Sequence, residues 1–245
     1  MHALDPPTPL DGRTVVIIGG TSGIGRAAAE RAASRDAEVI VCGRSRERAE
    51  AVAAEIGNGT RGTEANLADV ESLRTLFDGL DRIDHLAITA ADLEYEPFET
   101  MDPAIAERVM STKLLGSFRA VQAALPKMPA DGSVVLVSGL AVDRPGPGTS
   151  AVSATNGGID ALTRSLALEA APIRVNAVSP GVTDTPGWDF MPEAERREFF
   201  ASVGESLPVG RVGRPEDSGD AIVFLMTAGF ITGEVLHVDG GGRFA

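Results

Sequence analysis

One short segment limits what this chain can fold into more than any other. Gly19-Gly20-Thr21-Ser22-Gly23-Ile24-Gly25 lies between an apolar, β-branched run, Arg13 to Gly19 (RTVVIIG), and a stretch from Ile24 to Ser34 that reads as a helix. A run with no polar alternation predicts a strand buried on both faces, as in a parallel sheet. Glycines between such a strand and a helix let the backbone turn tightly and approach a pyrophosphate. The free N–H groups and dipole at the helix start favour the negative charge. Gly19, Thr21, Ser22, Gly23 and Ile24 are therefore candidate cofactor-binding residues. The bland alternative is a plain glycine-rich turn, but the strand, the helix and a basic residue at the right distance all favour a dinucleotide. That residue is Arg44, 19 positions beyond Gly25 and directly after the second apolar run. An acid there would bind a ribose 2′-hydroxyl, whereas arginine pairs with a 2′-phosphate, so NADP(H) is the expected cofactor. A solvated loop arginine is the alternative, because Arg46 and Arg48 follow closely.

Further apolar runs at Glu38 to Cys42, His85 to Thr89, Ser133 to Ser138, Arg174 to Ala177 and Val235 to Val238 are separated by helix-length segments rather than hairpin turns. This is the β-α-β alternation of a doubly wound α/β sheet. No break in composition serves as a linker, and no repeat of solenoid length is present, so residues 1–245 read as one domain. Pro- and Gly-rich stretches at Asp143 to Gly148 and Ser179 to Gly187 follow strand candidates, where such sheets place their ligands. A formal net charge of −13 argues against nucleic acid or an anionic membrane surface as partner. The opening MHALDPPTPLDG lacks the basic and apolar regions of a signal peptide, and no run reaches the roughly 20 apolar residues of a membrane span, so a cytoplasmic location is expected. One cysteine and three scattered histidines predict neither an internal disulfide nor a metal site.

With these residues in view, the chain resembles the short-chain dehydrogenase/reductase family, whose glycine signature is spaced as Gly19, Gly23 and Gly25 are. The resemblance covers nearly the whole length. It is supported by Val175-Asn176-Ala177-Val178-Ser179-Pro180-Gly181, by Gly210-Arg211-Val212-Gly213-Arg214-Pro215-Glu216-Asp217, by Ile231-Thr232-Gly233 and by Val238-Asp239-Gly240-Gly241. It implies a single Rossmann-type NADP-binding domain with helices on both faces of a parallel sheet and a substrate lid around residues 185–210. By the same resemblance Thr183 and Thr185 face the nicotinamide carboxamide and the diphosphate. Asn66, with Leu67 beside it, stands where the family's acid meets adenine, and Ala90 lies within the family's Asn-Asn-Ala-Gly position. A homo-oligomer, tetramer or dimer, is implied by the pairing of two helices, here about Pro103 to Leu125 and about Val152 to Ala170.

The catalytic positions depart from the family pattern. Its helix asparagine falls on Lys113, three residues before Gly116, and its serine falls on Gly139, with Ser138 adjacent. Its Tyr-x-x-x-Lys pair falls on Val152 and Asn156. The chain has one tyrosine, Tyr95, and two lysines, Lys113 and Lys127, so that pair exists nowhere in it. Reducing a carbonyl generates an alkoxide that needs a proton donor and a polarising group. Valine supplies neither. Lys113 and Ser138 are the candidate catalytic residues, with Asn156 where the family's lysine holds the nicotinamide ribose; the competing reading has Lys113 fill the space of the lost lysine and bond main-chain carbonyls or the ribose. The neighbours of Lys113 at helical spacing are small or apolar, which places it on a buried face. Two function classes remain. One is an NADP(H)-dependent oxidoreductase with a rebuilt proton relay acting on a small apolar substrate. The other is a non-redox NADP(H)-binding protein, whether sensor, scaffold, isomerase or lyase. His85 and His237 read as structural. Tyr95, Phe98, Trp188, Phe190, Phe199 and Phe200 are candidate pocket or lid aromatics.

Overall fold

Residues 9–245 are described by the structure, a computed structural model, and residues 1–8, included in the expected domain, lie outside it. Seven strands run parallel: β1 (Thr14–Ile18), β2 (Glu38–Gly43), β3 (Arg61–Glu64), β4 (His85–Ile88), β5 (Ser133–Val137), β6 (Arg174–Pro180) and β7 (Val235–Val238). Their spatial order is β3-β2-β1-β4-β5-β6-β7, so the winding reverses between β3 and β4. A crevice opens there, at the carboxyl ends of β1 and β4. The expected doubly wound parallel sheet with helices on both faces is the one found.

Alternation along β1 builds both layers. Val16 and Ile18 face one core with Leu86, Ile88, Leu136, Val121 and Ile159, while Val15 and Ile17 face the other with Val39, Val41, Ala28, Ile222 and Leu225. Helices α3 (Val70–Asp78), α5 (Gly116–Ala124) and α6 (Ser150–Glu169) cover the first face. Helices α1 (Gly23–Ala33) and α8 (Pro215–Thr227) cover the second. Helices α2 (Arg46–Ile56), α4 (Pro103–Met110) and α7 (Glu193–Ser206) complete the set.

Two elements differ from the sequence reading. β3 has the sequence RGTE and lies at the sheet edge, exposed at Arg61 and Glu64, so it lacks the apolar run by which the other strands are recognised. The helix expected over Pro103 to Leu125 is not continuous. A π-helical turn, Ser111–Leu115, separates α4 from α5, with Lys113 at its centre. Such turns widen the backbone spiral by one residue and rotate the side chains that follow.

Candidate active site

The glycine turn is built for close approach. Gly19 has φ +92°, and a Cβ there would meet Ala90 N at 2.5 Å. A Cβ on Gly25 would meet Gly19 O at 2.2 Å and Thr89 Oγ1 at 2.3 Å. Ser22 caps α1 without a side-chain bond, leaving the first-turn N–H groups facing the crevice. Thr21 packs on Gly43 at the end of β2, and Thr185 packs on Gly23, so the segment after β6 begins against the glycine turn. Thr183 is buried and donates to Gly181 O at 3.0 Å. Arg44 is exposed one residue beyond β2. Asn66 uses its Oδ1 to accept from Ala68 N at 3.1 Å, which shapes the loop after β3, while its amide nitrogen is free of that bond. Leu67 is buried against Gly116, where any Cβ would meet it at 2.7 Å. The backbone N–H of Ala90 donates to Ile18 O at 3.1 Å and so ties the end of β4 to the turn. Contacts thus join the glycine turn to the ends of β2 and β4 and to Thr185.

Asn156 lies with the two candidate catalytic residues. The π turn aims Lys113 under the sheet end, where it is 3% exposed. Its Nζ donates to Asn156 Oδ1 at 2.6 Å and to Ser138 O at 2.9 Å. The Ser138 hydroxyl donates to Asn156 O at 3.2 Å, so it points to α6. Gly139 makes room for this cluster, since a Cβ there would meet Asn156 Nδ2 at 2.8 Å. Val152, one turn before Asn156, is buried and offers no polar atom. Burial pushes Lys113 down to about 7, and only partly does the nearby Asp160 carboxylate oppose this. Asp160, one turn beyond Asn156 on α6, is itself held above the usual carboxylate range by burial, against the Ser138 hydroxyl and Arg164. The sequence reading missed Asp160. Its position one helical turn from Asn156 was the available signal.

Trp188 gathers the aromatic residues that follow β6. Its Nε1 donates to Thr183 O at 3.0 Å, and its ring stacks on Tyr95 at 6.5 Å and meets Phe190, Phe199 and Phe200 at 5.1–6.1 Å. A largely apolar cavity of about 470 Å³ opens between the loop holding Pro97 and Phe98 and the segment from Pro145 to Ser153. His85 is away from the crevice, at the start of β4. Its Nδ1 bonds Ser133 Oγ at 2.8 Å, and burial lowers it to about 4, which fits the structural reading. His237 pairs with Asp143 at 2.9 Å. Among the described residues no group of three or more His, Cys, Asp or Glu gathers as a metal site, and no helix is long and apolar enough to cross a membrane.

A glycine turn at the switch point of a seven-stranded parallel sheet defines a dinucleotide-binding protein of the doubly wound class. The sequence profile described as enoyl-(acyl carrier protein) reductase matches residues 19–242. The chain is 37% identical over 246 residues to the 3-oxoacyl-(acyl-carrier-protein) reductase FabG of Aquifex aeolicus strain VF5, covering 95% of this chain and 98% of that one. It is 32% identical over 240 residues to the 3-oxoacyl-(acyl-carrier-protein) reductase of Mus musculus, covering 94% and 97%. Among solved structures, a small-chain dehydrogenase in complex with NADPH superposes with a TM-score of 0.85 at 30% identity, covering 96% of this chain and all of that one. The MalC reductase/Diels-Alderase from Malbranchea aurantiaca gives a TM-score of 0.90 at 28% identity, covering 96% and 98%. The chain belongs to the short-chain dehydrogenase/reductase family and is an oxidoreductase of that type.

Proposed function

We propose that the chain is an NADP(H)-dependent reductase of small apolar carbonyl compounds in which Lys113, Ser138 and Asn156 replace the family's tyrosine-lysine pair. The observation that supports this reading most is the 2.6 Å bond from Lys113 Nζ to Asn156 Oδ1. The family pattern puts an amide on the helix of Lys113 and a lysine at the position of Asn156; here the two residue types are exchanged, and an amino group still reaches the end of β5. The turn at Gly19 to Gly25 fits a pyrophosphate, because its backbone leaves no room for a Cβ and its first-turn N–H groups face the crevice. Arg44 would hold the 2′-phosphate, with Thr21 and Ser22 at the pyrophosphate, Thr185 beside it, Thr183 towards the nicotinamide, Asn66 and Leu67 by the adenine, and Ala90 under the ring system. When bound, the cofactor supplies the hydride.

The chain's own residues handle the proton. An amino group lowered to about 7 exchanges its proton at neutral pH, which suits a general acid. Asn156 and the Ser138 carbonyl orient that amino group. The largely apolar cavity at Pro97 to Ser153 would suit an apolar ketone or quinone.

Buried Val152, with no hydroxyl where the family has its acid, favours the second reading, a non-redox NADP(H)-binding protein. The deciding experiment mixes the protein with NADPH and a panel of ketones, diketones and quinones while the absorbance of the reduced nicotinamide is followed. Turnover of an apolar member of the panel is expected. Tight NADPH binding with no turnover across the panel would support the non-redox reading instead.

A further inference from the structure

Asp160 is the one acidic residue on the sheet-facing side of α6 next to the Lys113 cluster, and its burial is at odds with its bonding. It is 9% exposed, and although the Ser138 hydroxyl lies against the carboxyl, Oδ1 is closed to solvent with no hydrogen-bond partner. A carboxylate so placed is costly unless a charge nearby offsets it. Lys113, bonded to Asn156 one turn before Asp160 on α6, is 3% exposed, and both groups that Nζ meets are acceptors, Asn156 Oδ1 and Ser138 O. Two acceptors and no donor match an ammonium rather than an amine offering its lone pair. Ser138, whose carbonyl accepts from Nζ, has its hydroxyl against Asp160, so the carboxyl lies beside this cluster and favours the ammonium. Towards Asp160 itself, Arg164 lies one turn further along α6, and His237 of β7 and Asp143 after β5 act with opposite signs while bonded to each other.

We propose that Asp160 is a positioning residue whose carboxylate keeps the proton on Lys113. The inference rests on the reading of Lys113 as proton donor. Burial alone drives a lysine towards the free amine, which has no acidic proton to give at neutral pH; a buried carboxylate beside it restores part of the ammonium.

The test needs no substrate. The chain has two lysines, so in a Lys127→Arg protein the ¹³C-labelled Cε signal of lysine reports Lys113 alone. Its midpoint is followed from about pH 5 to about pH 11, and then again with Asp160→Asn and Asp160→Glu added. The expected midpoint lies near 7 with Asp160 present. It falls by about one pH unit or more in Asp160→Asn and returns towards the starting value in Asp160→Glu. Should Asp160→Asn fail to fold, the reciprocal measurement applies: the Asp160 carboxyl signal, followed in Lys113→Met, should titrate higher than in the unaltered protein, because the coupling is mutual. A starting midpoint in the ordinary lysine range overturns the proton-donor reading itself. A near-neutral midpoint that neither Asp160→Asn nor the reciprocal titration moves overturns only the role of Asp160.

Discussion

Lys113 Nζ and Asn156 Oδ1, 2.6 Å apart, join the π turn between α4 and α5 to the middle of α6. An uninterrupted helix would place residue 113 at a different angle about the axis, so the bond and the extra residue in the turn belong together. With the bond from Nζ to Ser138 O at 2.9 Å it ties the π turn to the carboxyl end of β5.

Lys113→Met keeps the bulk of the side chain and removes its proton. On the proposed function, it binds NADPH with the wild-type affinity and loses about 10²–10⁴-fold in turnover, the usual contribution of a general acid. Single-turnover NADPH oxidation, measured beside NADPH binding, checks this. A loss of only a few-fold with normal binding means that Lys113 does not deliver the proton.

Arg44→Ala should weaken NADPH binding by roughly 10- to 150-fold and leave NADH binding little changed, because a hydrogen bond to a charged group contributes about 1.5–3 kcal/mol. Arg44 is exposed at the end of β2, free to swing onto a 2′-phosphate, whereas Arg46 sits 3.8 Å from Glu50. Calorimetric titration with both cofactors gives the comparison. Equal affinities of the unaltered protein for NADPH and NADH would rule out the 2′-phosphate role.

Much of the scaffold was legible from residues with one environment each. RTVVIIG, short, β-branched and closed by glycines, reads as a strand buried on both faces, and glycines at 19, 23 and 25 are demanded by backbone contacts under 3 Å or by positive φ. β3 was not legible, because RGTE at an edge has neither an apolar run nor an alternation to read. Nor was the π turn, since STKLL continues the helical pattern on either side and its contacts, Leu114 against Gly158 of α6 and Gly116 against Leu67, are made with distant segments. Burial of Lys113 could be inferred from small and apolar neighbours at three and four residues. Ser138 and Asn156 were named beside it through the family pattern, whereas the bonds of Nζ to the Ser138 carbonyl and Asn156 Oδ1 depend on how β5 and α6 pack.

Gly25→Ala is a smaller change than Arg44→Ala and should be more damaging to the fold. The added methyl would lie 2.2 Å from Gly19 O and 2.3 Å from Thr89 Oγ1. Backbone at Gly19 cannot yield without disturbing its bond to Cys42 O at 2.9 Å. Overpacking of this kind costs about 1–3 kcal/mol, and the displaced turn should no longer accept a pyrophosphate. Thermal melts with and without NADPH test both points; a variant that melts normally and is still raised by NADPH contradicts them.

The exposed faces of α5 and α6 point to self-association. Phe118 is 47% exposed and Leu168 is 82% exposed, and Phe118, Leu125 and Leu166 line a shallow hollow with Gln122 and Glu169. A homo-oligomer paired through these helices, as the family resemblance implies, would cover them by two-fold symmetry. Light scattering should return a multiple of 25.4 kDa for the unaltered protein and a lower multiple for Phe118→Glu. A mass of one chain for the unaltered protein at micromolar concentration excludes this arrangement.

The pH dependence of stability provides an independent readout of Lys113. Its folded midpoint, about 7, lies below the ordinary value of 10.5 because burial disfavours the ammonium. Between these values the unfolded chain binds the proton and the folded chain does not, so stability rises with pH across that window. Below about 7 both states are protonated and the full penalty of the buried charge is present; above 10.5 neither is, and the penalty has gone. The slope contributed by one such group approaches about 1.4 kcal/mol per pH unit in the middle of the window. Lys113→Met has no group there to titrate. Urea unfolding of the two proteins at about pH 7, 8 and 9 should show the unaltered protein gaining on the variant at each step. A constant difference between them over that range would mean that Lys113 stays protonated in the folded state and is not the neutral-range proton donor.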